Sequence, residues 1–587
     1  LLKDRQSSIL HLVGLSTGLA CTLLIYLWVS DELHVDRFFQ KDSQLFQLME
    51  SRSGNLKGVS DESSGLLAET VAKDMPQVQY AAAVAPSGWF PKFSLTVDDK
   101  SIKASGQYAG KDYFSIFSYK LLDGSKDLAL ADKSSIVISE DLAMQLFNRK
   151  DGLIGKTIQL EHDKQFRISG VFEHIPDQSS EKFDFVLSFE YLKEVAPWVK
   201  EWGSKGPHNY VLLKEGTNVD AFNQQVADII TRHTGKTAFK VFAYQYSNNY
   251  LYGKFVDGKP AGGRIEYVRL FSVIAAFILI IACINFMNLS TAKASKRLKE
   301  VGIKKVVGAS RRQLVYQFIS ESMLLSFFSL LLAVVIVAAI LPAFNQLTDK
   351  HIILHPDKEL ITAAVLIALV TGIVSGSYPA FYLSGFRPVM VLKGKLNTSM
   401  GELFARKGLV VFQFTLSMIF IVAVLVVFRQ MRYIQSGDLG YNKDNVLVFN
   451  SDGRLLGNQE NFVAELKRLP GVVSATGTSH NLVGHNYATS GMQWEGMPPD
   501  QSPMFEVAGV GHDFCETMGI RMAKGSGFFP NFKDQASIIF NQAAIDAMGI
   551  KDPVGKTVRF LNEPKRIVGV IENFHFESFH ETVKPML

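Results

Sequence analysis

Five times along the chain, mixed polar and apolar sequence gives way to an almost unbroken apolar run. The runs are Ile9–Ser30, Leu270–Leu289, Met323–Leu341, Leu360–Tyr378 and Gly408–Phe428. At about 1.5 Å of rise per helical residue, each is long enough to cross a hydrocarbon core of about 30 Å. They predict five membrane helices. The sequence between them, at 31–269 and 429–587, has a different texture. Short β-branched alternating runs ("SIVI" at 135–138, "TIQL" at 157–160, "FRISGVF" at 166–172) sit between helical patches, so each long segment predicts an α+β domain.

Charge in the short loops orients the spans. The loop 291–313 carries eight Lys/Arg against one Glu. The loop 379–407 carries Arg387, Lys393, Lys395, Arg406 and Lys407, and Lys3 and Arg5 precede the first run. The loop 342–359 has only Lys350 and Lys358, against Asp349, Asp357 and Glu359. Basic loops stay in the cytoplasm. The N-terminus is therefore expected inside the cell, and 31–269 and 429–587 outside it. The first run is too long for a cleaved leader, and "DELHVDRF" follows it instead of a small-residue cleavage site.

The two long segments resemble each other. "SSIVISEDLAMQLFNRKDGLIGKTIQLEHDKQFRISGVFEHIP" (134–176) aligns with "ASIIFNQAAIDAMGIKDPVGKTVRFLNEPKRIVGVIENFH" (536–575), with Gly155 opposite Gly555 and Gly170 opposite Gly569. Each segment follows an apolar run. The expected architecture is an α-helical membrane protein with two large extracytoplasmic α+β domains related by internal duplication. Its parts are a first helix at 1–30, outer domain one at 31–269, a membrane unit at 270–378 with its inner segment 291–313, a cytoplasmic loop at 379–407, a fifth span at 408–428 and outer domain two at 429–587. Because the first unit continues into three more spans and the second does not, the chain is expected to be a fragment lacking the last spans.

Composition narrows the chemistry. A 587-residue chain with 47% hydrophobic and 20% charged residues suits spans joined to soluble domains, and a net charge of +5 leaves no global nucleic-acid footprint. Cys21 and Cys283 lie in apolar runs and Cys515 in soluble sequence, which is no disulfide framework. "GKT" occurs at 155–157 and 555–557, but a phosphate-binding loop needs a Gly five residues before the Gly of that triplet, and positions 150 and 550 are Lys and Ile. Both copies read as turns into strands. His575 and His580 lack a partnered cluster and read as ordinary histidines. With no nucleophile elbow, zinc-helix motif or supported carboxylate pair, the chain is expected to be non-catalytic and without cofactor or metal. Gly14 with Gly18, and Gly372 with Gly376, stand four apart within spans and are candidates for close helix packing.

The inner segment carries more pattern than a topology signal requires. In "RLKEVGIKKVVGAS" (297–310), Ile303, Val306 and Val307 fall within an arc of about 100° on a helix, a small apolar face fit for a partner groove. Arg297, Lys299, Lys304 and Lys305 supply charge for lipid headgroups or an acidic partner rim. Gly302 and Gly308 weaken a helix and point to a close backbone approach or a helix end.

This segment resembles the one between the second and third spans of the MacB/FtsX family of ABC-transporter permeases, whose usual pattern is basic-x-x-Glu-Ile/Val-Gly-Ile/Val-Arg/Lys-Lys-x-x-Gly-Ala-Ser/Thr. "SYPAFYLSGFRPVMVLKGKL" (377–396) and "GLSTGLACTLLIYLWVSDELHVDRF" (14–38) resemble other stretches of the family, the second those of its duplicated members. The resemblance implies MacB-like periplasmic core domains outside and an FtsX-like membrane unit. It implies a coupling helix carried by Arg297, Leu298, Glu300, Val301, Gly302, Ile303, Lys304, Lys305, Val307, Gly308 and Ser310. It also implies partners: a separate ABC ATPase subunit, since the ATPase fused in some members is absent here, a dimeric transmembrane assembly, a periplasmic adaptor and membrane lipids. The expected site is the bacterial inner membrane. The expected activity is mechanical: ATP-driven movement of the coupling helix reshapes the outer domains to export or handle peptides, lipoproteins or drugs. The alternative is a sensor that detects an outer peptide or activates a cell-wall enzyme.

Overall fold

The computed structural model describes residues 5–52, 58–235, 237, 239–292, 294–385, 400–451, 455, 458–481, 483–484, 487–498, 503–528, 536–579 and 581–587; the side chains of 5–8, 292, 294–299 and 400–406 lie outside the description. The chain forms two compact units. One comprises Leu1–Pro86, Gln107–Ile154 and Ile168–Ala423, the other Ser87–Gly106, Gly155–Arg167 and Val424–Leu587. Two pieces of the segment read as outer domain one, 87–106 and 155–167, thus group with the second unit.

Six long helices organise the membrane part: α1 (Arg5–His34), α2 (Ile265–Ala292), α3 (Ala294–Val306), α4 (Arg311–Thr348), α5 (Lys358–Gly385) and α6 (Met400–Ser436). Among the described residues, five of these, all but α3, are long and apolar enough to cross a membrane. They run past the apolar sequence at both ends. α4 has 38 residues, about 57 Å of helix, because Ser310 starts it well before Met323. The Ser310 side chain accepts from the Gln313 amide while the Gln313 side chain reaches back to the Ser310 amide, so the basic first turn is capped.

α1, α2, α4 and α5 share one apolar core, with Leu15, Leu19 and Leu23 of α1 against Ala282, Phe286, Leu330, Ala333, Val337 and Ala368. Glycine sets how closely they approach. A Cβ on Gly18 would lie 2.5 Å from the Ala282 Cβ, and one on Gly14 3.1 Å from the Asn285 amide nitrogen. A Cβ on Gly372 would lie 2.9 Å from the Met323 Cα, and one on Gly376 2.7 Å from the Ser322 Cβ. The pairs therefore sit at the α1–α2 and α5–α4 crossings, and at Gly18, Gly372 and Gly376 a side chain would press on the facing helix. The Ser326 hydroxyl also donates to the Ala368 carbonyl at 2.7 Å across the α4–α5 contact. α6 meets α2 through Asn288 and Gln413 (3.4 Å) and through Phe277 and Phe420, and otherwise exposes its apolar surface.

Outside the bundle, the first unit is built on a sheet of β1 (Leu45–Arg52), β2 (Val78–Ala85), β3 (Gly106–Ala109), β4 (Leu121–Gly124), β5 (Ser135–Ser139), β6 (Lys164–Phe172), β7 (Phe185–Ser188), β8 (His208–Leu213) and β9 (Phe239–Gln245). Its order is β9-β1-β8-β2-β3-β7-β5-β6, with β4 beside β6. One face buries aromatic residues, including Phe39, Phe114, Phe117, Phe172, Tyr113, Tyr119, Tyr210 and Tyr246.

The second unit contains β10 (Met522–Gly525), β11 (Ser537–Asn541), β12 (Thr557–Phe560) and β13 (Glu563–Ile571), and the local order of the first recurs in it. β4 runs antiparallel to β6 with Gly124 opposite Gly170, and β10 runs antiparallel to β13 with Gly525 opposite Gly569. β5 leads into a helix capped by Ser139 and β11 into one capped by Asn541. Thr157–Leu160 folds back on β6 as β12 does on β13. Gly124 and Gly525 both have positive φ, and a Cβ there would lie 2.5 Å and 2.3 Å from the Ser169 and Val568 carbonyl oxygens. Gly155 and Gly555 also have positive φ, each in the turn that leads into the strand at Thr157 or Thr557.

Candidate coupling site

α3 packs against the first turns of α4 and the last described turns of α5. Val301 is buried against Leu314 and Phe318 of α4 and Ala380 and Leu383 of α5, and Gly302 beside it is buried too. On other positions of the helix Ile303, Val306 and Val307 are 57%, 64% and 82% exposed. The arc expected from the sequence is thus an uncovered apolar strip on a helix whose opposite side is fixed. Gly308 ends the helix with φ +108°. The Gly308 amide donates to the Lys305 carbonyl and the Ala309 amide to the Lys304 carbonyl, a left-handed cap that glycine enters at least cost. Space around Gly308 is open, so its role is the helix end and not a close approach. Arg297 and Leu298 belong to α3, but their side chains lie outside the described residues, as does Lys293 altogether.

Lys304 and Lys305 make contacts within the bundle, while the side chain of Lys299 lies outside the described residues. Lys304 pairs with Glu300 one turn back at 2.8 Å and donates to the Gln317 side chain of α4 at 3.2 Å. Lys305 donates to the Ser384 carbonyl of α5 at 2.7 Å. Partial burial, with Arg311 nearby, pulls its ammonium below the ordinary lysine value. Both lysines therefore hold α3 onto α4 and α5. Long aliphatic stems let them lie along the helix surface while their heads reach inward to acceptors.

At the opposite end of the bundle is a polar joint. Lys350, just beyond α4, contacts Asp31 at 2.7 Å and Glu32 at 3.0 Å, both in the last turn of α1. Glu32 is buried and also faces Arg264, 3.5 Å away at the start of α2, and Arg264 donates to the Tyr250 hydroxyl. Asp31 accepts from the Gln178 side chain at 3.4 Å. Asp36, buried with φ +59°, donates its amide to the Gln178 carbonyl and accepts from the Ser180 amide, both at 2.9 Å. Burial raises the Asp36 carboxyl above the ordinary aspartate value, against the Ser180 hydrogen bonds. Burial lowers Lys350, but its bonds and charge interactions with Asp31 and Glu32 outweigh that and the net shift is upward. α1, α2 and α4 thus meet the 176–182 loop of the outer domain at one cluster. In the sequence Lys350 counts only as loop charge, and "DELHVDRF" serves to reject a leader and to carry part of the family resemblance. The available signal was that acidic pair directly after an apolar run.

Five span-capable helices, a short helix clamped at one end of the bundle and a sheet domain joined to the other end define a multi-pass membrane protein with a large domain outside the bilayer region. The family model described as a MacB-like periplasmic core domain matches residues 8–229, and the one described as FtsX-like permease C-terminal matches residues 272–388. The chain belongs to the MacB/FtsX family of ABC transporter permeases. It is 23% identical over 271 residues, 45% of its length, to an uncharacterized ABC transporter permease of Methanocaldococcus jannaschii, of which it covers 63%. It is 23% identical over 308 residues, 51% of its length, to the macrolide export ATP-binding/permease protein MacB of Campylobacter jejuni, of which it covers 45%. It is 23% identical over 414 residues, 66% of its length, to the uncharacterized ABC transporter permease YvrN of Bacillus subtilis, of which it covers 95%. The chain therefore spans less than two thirds of the first two relatives and nearly all of the third.

Proposed function

We propose that this chain is the permease subunit of an ABC system in which a separate cytoplasmic ATPase drives changes of shape in the outer domains, acting there on peptides, lipoproteins or drugs. The observation that carries this reading is α3. Its apolar strip of Ile303, Val306 and Val307 is exposed, while Val301, Lys304 and Lys305 fix the helix to α4 and α5. A helix presented in this way passes a push from a docked partner to the two spans without bending. We also infer that the two outer domains descend from a duplicated span-plus-domain unit, on the strength of the matched Gly124/Gly525 and Gly170/Gly569 pairings. The N-terminus lies in the cytoplasm of a cell whose inner membrane holds the assembly, which is dimeric and open to a periplasmic adaptor.

The test is Val307→Asp. At 82% exposure the new carboxylate stays solvated in the free permease, so insertion and folding should be unchanged. In a dry interface it would be an unpaired buried charge costing several kcal/mol, so co-purification of the cognate ATPase should fall at least about tenfold. Undiminished ATPase binding and transport in this variant would return the segment to a topology signal. Reversing Lys304 and Lys305 is a poorer test, because both lysines also hold α3 in place.

A further inference from the structure

We propose that Lys350 is the positioning residue through which movement of the α4–α5 pair reaches α1 and the outer domain, an assignment that rests on the permease reading above. The pair moves as one body because Gly372 and Gly376 bring α5 into backbone contact with α4 and the Ser326–Ala368 hydrogen bond ties the two. Its inner end carries α3. Its outer end carries Lys350 on a loop whose shape is fixed. Asp349 closes α4 in the left-handed conformation, the Lys350 amide donates to the Asn345 carbonyl, and the Asn345 side chain bonds both the amide and the carbonyl of Ile352.

From that fixed loop the ammonium reaches Asp31 and Glu32, residues more than three hundred positions away in sequence. α1 also packs on α4 through apolar side chains, but such contacts can slide or repack at little cost where lipid is as apolar as the helix surface. An ion pair shielded from water cannot slide, because any displacement leaves a buried charge without its partner. The joint is therefore the point at which axial or lateral movement of α4 and α5 is transferred in register. Beyond it, Asp31–Gln178, Asp36–Gln178 and Asp36–Ser180 bonds carry α1 directly into the 176–182 loop. Two carboxylates face two cations, Lys350 and Arg264, so removing Lys350 leaves Asp31 with Gln178, and Glu32 with Arg264 and the Tyr250 hydroxyl.

The experiment compares wild type, Lys350→Met and Lys350→Arg as full chains in lipid nanodiscs with the co-expressed ATPase. One arm, without nucleotide, measures hydrogen exchange at the Asp36 and Ser180 amides. Lys350→Met should exchange about tenfold faster there and Lys350→Arg close to wild type, while α4 and α5 stay protected. The other arm adds ATP and follows the distance between spin labels at Ser125 and Leu347, both exposed. Lys350→Met should keep ATPase binding and hydrolysis within about twofold, yet lose most of the ATP-driven distance change, with Lys350→Arg restoring it. Wild-type exchange at the joint in Lys350→Met, or a full distance response in that variant, overturns the assignment. A wild-type chain that retains no ATPase counts against the permease reading instead. The exchange arm, which needs no ATP, then still decides whether Lys350 holds the joint.

Discussion

At the residue scale, Asp36 combines two demands that separate cleanly by substitution. Its positive φ favours Asp, Asn or Gly, and its carboxyl must accept the Ser180 amide while buried. Since burial raises the folded-state carboxyl above its unfolded value, the folded chain binds the proton more tightly, and the contribution to stability falls as pH rises through that window. Ionised Asp36 therefore opposes folding at neutral pH. Asp36→Asn should match wild type in acid and exceed its thermal midpoint near neutrality, measured on the full chain in detergent. Asp36→Ala should be less stable than Asp36→Asn by about 2 kcal/mol at any pH, because it strands the Ser180 amide and keeps an unfavourable φ. If the Asn variant shows the same pH profile as wild type, Asp36 is not the group responsible. None of this was legible in the sequence, where Asp36 was one charge in an acidic run; its burial depends on a loop about 140 residues away. Gly308 was legible, because a glycine following helical spacing and preceding Ala-Ser has a local cause.

Elements were legible where the physics is local and periodic. The five apolar runs, the turn at each GKT and the exposed strip of α3 follow from spacing that does not depend on tertiary contacts. Helix runs beyond the apolar sequence by up to about three turns, at the start of α4, because a charged first turn capped by Ser310 and Gln313 hides helix inside what reads as loop. The partners of the glycine pairs could not be read, since crossing geometry is a property of two helices. That geometry ranks four substitutions. Gly18→Ala and Gly376→Ala place a methyl 2.5–2.7 Å from the next helix and should each cost about 1–3 kcal/mol of bundle stability. Gly14→Ala meets only the end of the Asn285 side chain and should cost less. Gly408→Ala in α6 meets nothing and should be neutral or stabilising by up to about 1 kcal/mol, as Ala outranks Gly in a helix. Thermal or denaturant unfolding in a fixed detergent measures the order. Equal effects at Gly376 and Gly408 would mean that helix propensity, not the crossing, governs these sites.

For the whole molecule, orientation follows from counting crossings. The first outer domain leaves the bilayer after α1, and α2, α4, α5 and α6 cross before the second long segment begins. On the proposed topology these four crossings between the two long segments are an even number, which is what a shared extracytoplasmic side for both requires. The charges then choose the compartment, and the inner segment alone has eight basic residues. Bundle geometry places α3 and the Lys350 loop at opposite ends of α4, a separation of about 57 Å that exceeds a hydrocarbon core. With Cys21, Cys283 and Cys515 replaced, single cysteines at Ser125 and at Val473, which is fully exposed, should both react with an impermeant maleimide added to intact spheroplasts, whereas one at Ser295 in α3 should react only after lysis. Reaction at Ser295 with none at Ser125 or Val473 would invert the molecule and place α3 out of reach of a cytoplasmic ATPase. Reaction at only one of Ser125 and Val473 would show that one of the five helices lies along the membrane instead of crossing it. α6 is the helix to suspect in that case, because it has the fewest contacts with the bundle. Asn288→Ala, which removes its amide partner to Gln413, should then increase labelling near α6 while leaving Ser125 unchanged.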